Sequence, residues 1–305
     1  MKALRSIVFA GTLAAAGGCD AERILAVSKA PDGGGNPGDA GQSDAGSPFG
    51  MPQVVTGPRG DAFDVHDPAM NKEELDLYFT SPTGGQNDIW VAHRTLTSDP
   101  WGSGALLTEV SSPQNDEDPE VSNDGLNLFF SSDRGGDGMH LYVSRRRTLD
   151  TPWEEPVRVD GLGLSTLDVA PTEDRAQRTL VFASQRGAAS DLHLFAATRP
   201  DASAAWQPAA ELTGLSSTSR DTDPALFAEG RGLLFASRRT APGARADLFQ
   251  TSRPDGNSPF ASRVDPIGEL NTSYSEEDPW ISEDGRHILF VSDRDGRSRI
   301  YEAWR

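Results

Sequence analysis

The sequence predicts an all-β fold, a five-bladed β-propeller of four-stranded blades, and three observations carry that prediction. A Phe followed two residues later by Ser recurs as Phe79/Ser81, Phe130/Ser132, Phe182/Ser184, Phe235/Ser237 and Phe290/Ser292, at steps of 51, 52, 53 and 55 residues. Twelve residues before each Phe stands Asp67, Asp118, Ala170, Asp223 or Asp278, and each of these is followed by proline. The last repeat stops at Arg305, the end of its third strand, while an unattached fourth strand, Phe49 to Val55, precedes the first repeat. If that N-terminal strand d pairs with the C-terminal strand c, the ring closes without a free sheet edge. A fixed period of this size is the signature of stacked supersecondary units.

Each strand has its own signal. Strand a follows the Asp-Pro pair. Asn-Asp-Gly at 123–125 and Glu-Asp-Gly at 283–285 supply the turn into strand b, because Asn, Asp and Gly tolerate the backbone angles that tight turns need. Strand b is the short apolar run around each Phe, bounded by turn residues. Strand c carries a second aromatic, Trp90, Tyr142, Phe195, Phe249 or Tyr301, with arginine four residues on at Arg94, Arg146, Arg199, Arg253 and Arg305. Strand d begins near Trp101, Trp153, Trp206 and Phe260, eleven residues past the first four of these aromatics, and Phe49 fills the matching slot ahead of the first repeat. Four strands in about 52 residues make one propeller blade.

The chain ahead of the repeats reads differently. Met1 to Arg5 carries two basic side chains, Ser6 to Gly18 is small or apolar, and then comes Cys19, the only cysteine. That order is the order of a secretory signal, and 13 residues are too few for a spanning helix, which needs roughly 20. Residues 1–19 are therefore expected to be a lipoprotein-type signal peptide with Cys19 as the lipidation site, and simple cleavage giving a soluble secreted protein is the alternative. Pro31 to Pro48, rich in Gly, Asp, Ser and Pro, cannot bury a core, and 20–47 reads as a flexible tether to a propeller at 48–305.

Composition limits the partners. Lys and Arg total 28 against 46 Asp and Glu, a net charge of -18, so nucleic acid and anionic lipid are repelled and membrane attachment rests on the N-terminal lipid alone. One cysteine allows no intrachain disulfide and no cysteine-rich metal site. The five histidines show no metal spacing, and neither a Gly-x-Ser-x-Gly elbow nor a phosphate loop is present.

Asp-Pro, Ser, Asp-Gly, an apolar strand, Ser-x-Arg and an aromatic strand follow one another in Asp118–Arg134 and Asp278–Arg294, continuing to Tyr142 and Tyr301. In this order the chain resembles the TolB-like, WD-repeat-like propeller family over Phe49 to Arg305. Copy three departs with Ala170 for Asp, and copy one has Thr83 where the others have Arg134, Arg186, Arg239 and Arg294. The resemblance implies a propeller of the bacterial cell envelope, in the periplasm or on the outer surface, that docks other proteins. Its best-known member works with peptidoglycan-associated lipoprotein but has an extra N-terminal domain and one more blade. The resulting expectation is a protein- or ligand-binding scaffold and not an enzyme. The competing reading is a glycoside hydrolase, because five-bladed propellers of the arabinanase type hold three carboxylates in the central funnel.

Repeat lengths point to where binding occurs. The spacing from strand a to the Phe of b, and from the aromatic of c to that of d, does not change, so insertions are expected only in the b–c and d–a connections. Both connections lie on one face of the disc, which is where an envelope protein or small ligand is expected to bind. That face also receives the start of every strand a, and so the candidate residues Asp67, Asp118, Asp168, Asp223, Asp278, Glu117 and Glu277 at the mouth of the channel. Converging carboxylates suit Ca²⁺ as a cofactor, or a basic peptide. The structural alternative is that each Asp accepts backbone N–H bonds and, with its rigid proline, fixes the start of its strand. The Ser-x-Arg elements and the tryptophans are repeated too, and are expected to make structural hydrogen bonds and to pack between blades.

Overall fold

The computed structural model describes residues 47–60, 63–162, 167–186, 191–240 and 245–305; the predicted signal segment, Cys19 and the predicted tether up to residue 46 lie outside the described residues. Twenty strands form five antiparallel sheets of four, and no helix occurs among the described residues. Blade 1 is β2 (His66–Met70), β3 (Asp76–Thr83), β4 (Gln86–His93) and β5 (Ala105–Leu106). Blade 2 is β6 (Asp116–Val121), β7 (Asn127–Ser132), β8 (His140–Arg145) and β9 (Val157–Arg158). Blade 3 is β10 (Asp168–Glu173), β11 (Thr179–Ser184), β12 (His193–Thr198) and β13 (Ala210–Glu211). Blade 4 is β14 (Asp221–Phe227), β15 (Gly232–Ser237), β16 (Asp247–Ser252) and β17 (Asp265–Pro266).

Blade 5 is β18 (Glu276–Ile281), β19 (His287–Ser292) and β20 (Arg299–Trp304), completed by β1 (Gln53–Val54) from the start of the domain. Gln53 faces Glu302 and Val54 faces Tyr301 in the ladder. Gly50 N donates to Trp304 O at 2.8 Å and Val55 N to Ile300 O at 2.9 Å on either side of it. The predicted closure by strand d on strand c is therefore present.

The cores lie between the blades. Five apolar clusters each join residues of two neighbouring blades: Tyr78 and Ile89 with Leu128 and Phe130, for example, or Phe129 and Leu141 with Leu180 and Phe182. Strand b supplies both sides, because successive side chains of a strand point to opposite faces. The five repeated phenylalanines are fully buried, and four of them stack on the strand-c aromatic at about 6 Å between centroids.

Two details differ from the sequence reading. Strand d is two residues long in every blade, so Phe49 to Val55 narrows to Gln53–Val54. The aromatic ahead of it is not in the ladder but lies under the strand-c arginine, with the guanidinium 4.1 Å from Trp101 and Trp206, 4.3 Å from Trp153, 4.4 Å from Phe260 and 4.5 Å from Phe49. The length variation is also distributed differently from the expectation. Nine residues separate strand d from the next strand a at β5/β6, β9/β10, β13/β14 and β17/β18 and eleven at β1/β2, while the b–c connections run from two residues in blade 1 to nine in blade 4. The extra residue of the fourth repeat falls before β17, on the opposite face. We call the side of the b–c and d–a connections the loop face, and the side of the a–b turns the hairpin face.

Candidate functional site at the channel

Asp67, Asp118, Ala170, Asp223 and Asp278 all adopt a left-handed backbone, with φ between 50° and 55°, and each sits in a bulge where the a–b register slips. Asp tolerates this region because its short side chain can bond locally, while a residue such as Ala170 occupies it under strain. The bulge turns the carboxylates of Asp278, Asp67 and Asp118 toward the neighbouring blade. Asp67 N donates to Asp278 Oδ2 at 3.3 Å, Asp118 N to Asp67 Oδ2 at 3.3 Å, and Ala170 N to Asp118 Oδ2 at 3.0 Å. These bonds run from blade 5 through blades 1 and 2 to blade 3, where Ala170 has no carboxylate to continue them. The structural role of the Asp-Pro pair is thus one of linking blades as well as starting strands.

Crowding four carboxylates around one opening has an electrostatic consequence. Burial, then the nearby Asp278 and Asp118, push Asp67 well above the ordinary carboxylate range; burial, then Asp223, Glu277 and Asp118, do the same for Asp278. Asp223 is pushed up to about 6 by burial, against the pull of Arg220. Glu117 is raised by burial and by Asp118, and accepts Asn87 Nδ2 at 2.7 Å. Glu277 receives Arg238 at 3.5 Å. Together with His66, these residues line a cavity of about 350 Å³ open to the loop face. Arg220 and Arg238, which the sequence reading did not single out, make its blade-4 side basic.

Asp168 does not join this mouth. Its side chain is 2% exposed, and its Oδ1 accepts Ser184 Oγ at 2.5 Å and the Arg186 guanidinium at 2.8 Å. Asp116 with Arg134, Asp221 with Arg239 and Glu276 with Arg294 repeat the arrangement at 2.6, 2.7 and 2.9 Å. The position two residues before Asp-Pro thus points into the blade and not into the channel. The arginine of Ser-x-Arg is its counter-ion and also donates to a carbonyl of the preceding d–a loop, such as Leu162 O at 2.6 Å. Blade 1 has Val65 and Thr83 at these two positions. There Arg59 comes in from the N-terminal segment, donates to Ser81 Oγ at 3.3 Å and stacks 3.5 Å from the Trp90 ring.

Among the described residues no three His, Cys, Asp or Glu side chains converge as metal ligands. Three of the four ring aspartates, Asp67, Asp118 and Asp278, accept an N–H bond from the neighbouring blade, and Asp223 accepts Thr222 Oγ1 at 2.8 Å.

Below the mouth, the five prolines narrow the channel to a throat of about 60 Å³ lined by all five a strands. Beyond it a second cavity of about 310 Å³ opens on the hairpin face between Glu120, Glu173, Lys72, Arg175 and Trp280.

These features define a five-bladed propeller with a closed ring and a polar channel. No family model matches the sequence, and no curated protein matches it. Solved structures do. TolB from Acinetobacter baumannii superposes with a TM-score of 0.50 at 16% identity over 79% of this chain, which spans 54% of that one. An endo-arabinase from Bacteroides thetaiotaomicron superposes with a TM-score of 0.59 at 13% identity, over 83% of this chain and 98% of that one. A family 117 glycoside hydrolase from Zobellia galactanivorans gives 0.55 at 13% identity, over 84% and 90%. The TolB-like propeller fold is therefore present, in a chain whose neighbours include both TolB and glycoside hydrolases, and at these identities the likeness is one of fold.

Proposed function

We propose that the chain is a binding scaffold of the bacterial envelope that docks a protein or small ligand on the loop face, and that it has no hydrolytic activity of its own. The observation that carries this reading is the use already made of the mouth acids. Glycosidases need two carboxyl groups of unequal environment, about 5 to 9.5 Å apart and free to act on substrate. Here the ring aspartates are repeat copies, and three of their four positions take part in N–H bonds between blades. The buried acids two residues earlier are committed to arginine. What remains is a cavity with an acidic sector and a basic one, Arg220 and Arg238, suited to recognising a partner of mixed charge.

The glycoside hydrolase reading keeps support from the endo-arabinase likeness. Incubation with arabinan, xylan and agar oligosaccharides is expected to release no reducing sugar above a buffer control. Robust turnover abolished by Asp118→Asn would overturn the scaffold reading. Attachment to the membrane rests on Cys19. Metabolic labelling with a clickable fatty acid is expected to mark the wild type and not Cys19→Ser, and equal signals from the two would remove the anchor from the account.

A further inference from the structure

Residues that repeat in every blade are explained by the fold, so the channel positions that break the repeat are the informative ones. Two residues past the ring position stand Ala69, Glu120, Thr172, Ala225 and Trp280; three residues past it stand Met70, Val121, Glu173, Leu226 and Ile281. Glu173 therefore occupies a slot that every other blade fills with an apolar side chain. Its side chain is 1% exposed; Oε1 receives Arg199 at 2.7 Å, and Oε2 has no partner.

Glu120 lies against it. Its Oε1 accepts Thr172 Oγ1 at 3.2 Å and Glu173 N at 3.3 Å, and among the described residues it forms no ion pair, although Lys72 and Arg175 line the same cavity. A carboxyl group even partly removed from water without a counter-ion, as the half-buried Glu120 is, is costly unless it is protonated or a cation is brought to it. Burial accordingly raises Glu120 to about 7 and Glu173 to about 8, the latter also through repulsion by Glu120.

The shape of the space selects the cation. No third carboxylate or histidine comes close enough to complete a metal site among the described residues. Glu120, Trp280, Leu226 and Ile281 line both the hairpin-face cavity and the throat above it. That combination offers an acceptor and an aromatic ring for a compact cation, with apolar walls for a short alkyl stem. We propose that the hairpin-face end of the channel binds a primary alkylammonium group, carried by a lysine side chain or by a small amine, with Glu120 as its direct partner and the unpartnered Oε2 of Glu173 as a second acceptor behind it. This site is independent of the loop-face mouth.

Calorimetric titration of the full chain with N-acetyl-lysine amide and with butylammonium tests it, with the neutral N-butylacetamide as control. Both ammonium probes are expected to bind and the neutral one to fail. A single missing hydrogen bond to a charged group makes Glu120→Gln weaken binding by about ten- to a hundredfold, while Arg263→Ala, whose side chain is exposed on the outer side of blade 4, leaves it unchanged. Binding by butylammonium but not by the lysine amide assigns the site to a small amine; binding by both admits a peptide. No binding of either ammonium, equal binding of the neutral probe, or an unaltered affinity in Glu120→Gln overturns the proposal, and silence from both probes means that the carboxyl groups are satisfied by protons alone. A folded melting transition in Glu120→Gln separates loss of the site from loss of the fold.

Discussion

Arg186→Ala is expected to destabilise the propeller by about 3–5 kcal/mol, the effect of leaving one partner of a buried ion pair uncompensated. Asp168 is almost fully buried, and without the guanidinium it would keep only Ser184 among the described residues. The same substitution removes a donor from Leu162 O and a cation resting 5.0 Å from the Phe182 ring and 5.2 Å from Phe195. A contrast comes from Arg263, whose ion pair with Asp265 leaves its side chain 83% exposed; Arg263→Ala is expected to change stability by less than about 0.5 kcal/mol. Replacing both Asp168 and Arg186 by apolar residues of similar volume should recover much of the loss, since an apolar pair needs no desolvation of charge. Urea unfolding of the four proteins checks this. Equal midpoints for Arg186→Ala and Arg263→Ala would show that Asp168 is not held as described.

Stability is also expected to fall as pH rises from about 4.5 to about 8. Glu120 has an ordinary value of 4.5 and is raised to about 7 in the folded protein. Between those limits the folded chain keeps a proton that the unfolded chain has lost, so stability declines with pH across the window. The shift corresponds to about 3 kcal/mol. Glu173, facing Arg199 and the acids Glu120, Asp174 and Asp124, extends the decline to about 8, and Asp223 adds its part up to about 6. His287 acts in the same sense. The carboxylates Glu74 and Glu302 raise its value against the effect of burial, so its contribution is present below 6.5 and is lost above. Below about 4 the order reverses. Asp124 and Asp284, held low by Ser122 and Ser282 and by nearby N–H groups despite burial, lose their contribution as they protonate. Thermal melts should therefore peak near pH 5. Glu120→Gln should flatten the decline and exceed the wild type at pH 8, and a midpoint that rises from pH 5 to pH 8 would contradict the assignment.

The fold was legible because its evidence repeats. The Phe-x-Ser anchor, the invariant twelve residues back to Asp-Pro and the arginine four residues past each aromatic are constraints that five copies state independently. Asp168 was harder to place, because nearness to Asp-Pro in sequence suggests nearness in space, whereas the bulge at the left-handed residue turns positions two apart to different surroundings. A sequence signal for its true role existed. The acid and the arginine of Ser-x-Arg occur together in four copies and are both missing from the first, which has Val65 and Thr83. Their replacement by Arg59 lay outside the repeat and so had no register to be read from. Glu120 and Glu173 were visible as departures from the pattern, but only the folded strand shows that one faces the channel and the other fills an apolar slot.

The scaffold reading is tested most directly by cross-linking in living cells, with a photoreactive amino acid in place of Glu277 at the mouth and, separately, of Val157, half-exposed on the outer strand of blade 2. The account predicts a discrete covalent adduct from position 277, weakened when Asp118→Asn and Asp278→Asn are added, and none from position 157. The absence of an adduct at 277, or the same adducts from both positions, would contradict it.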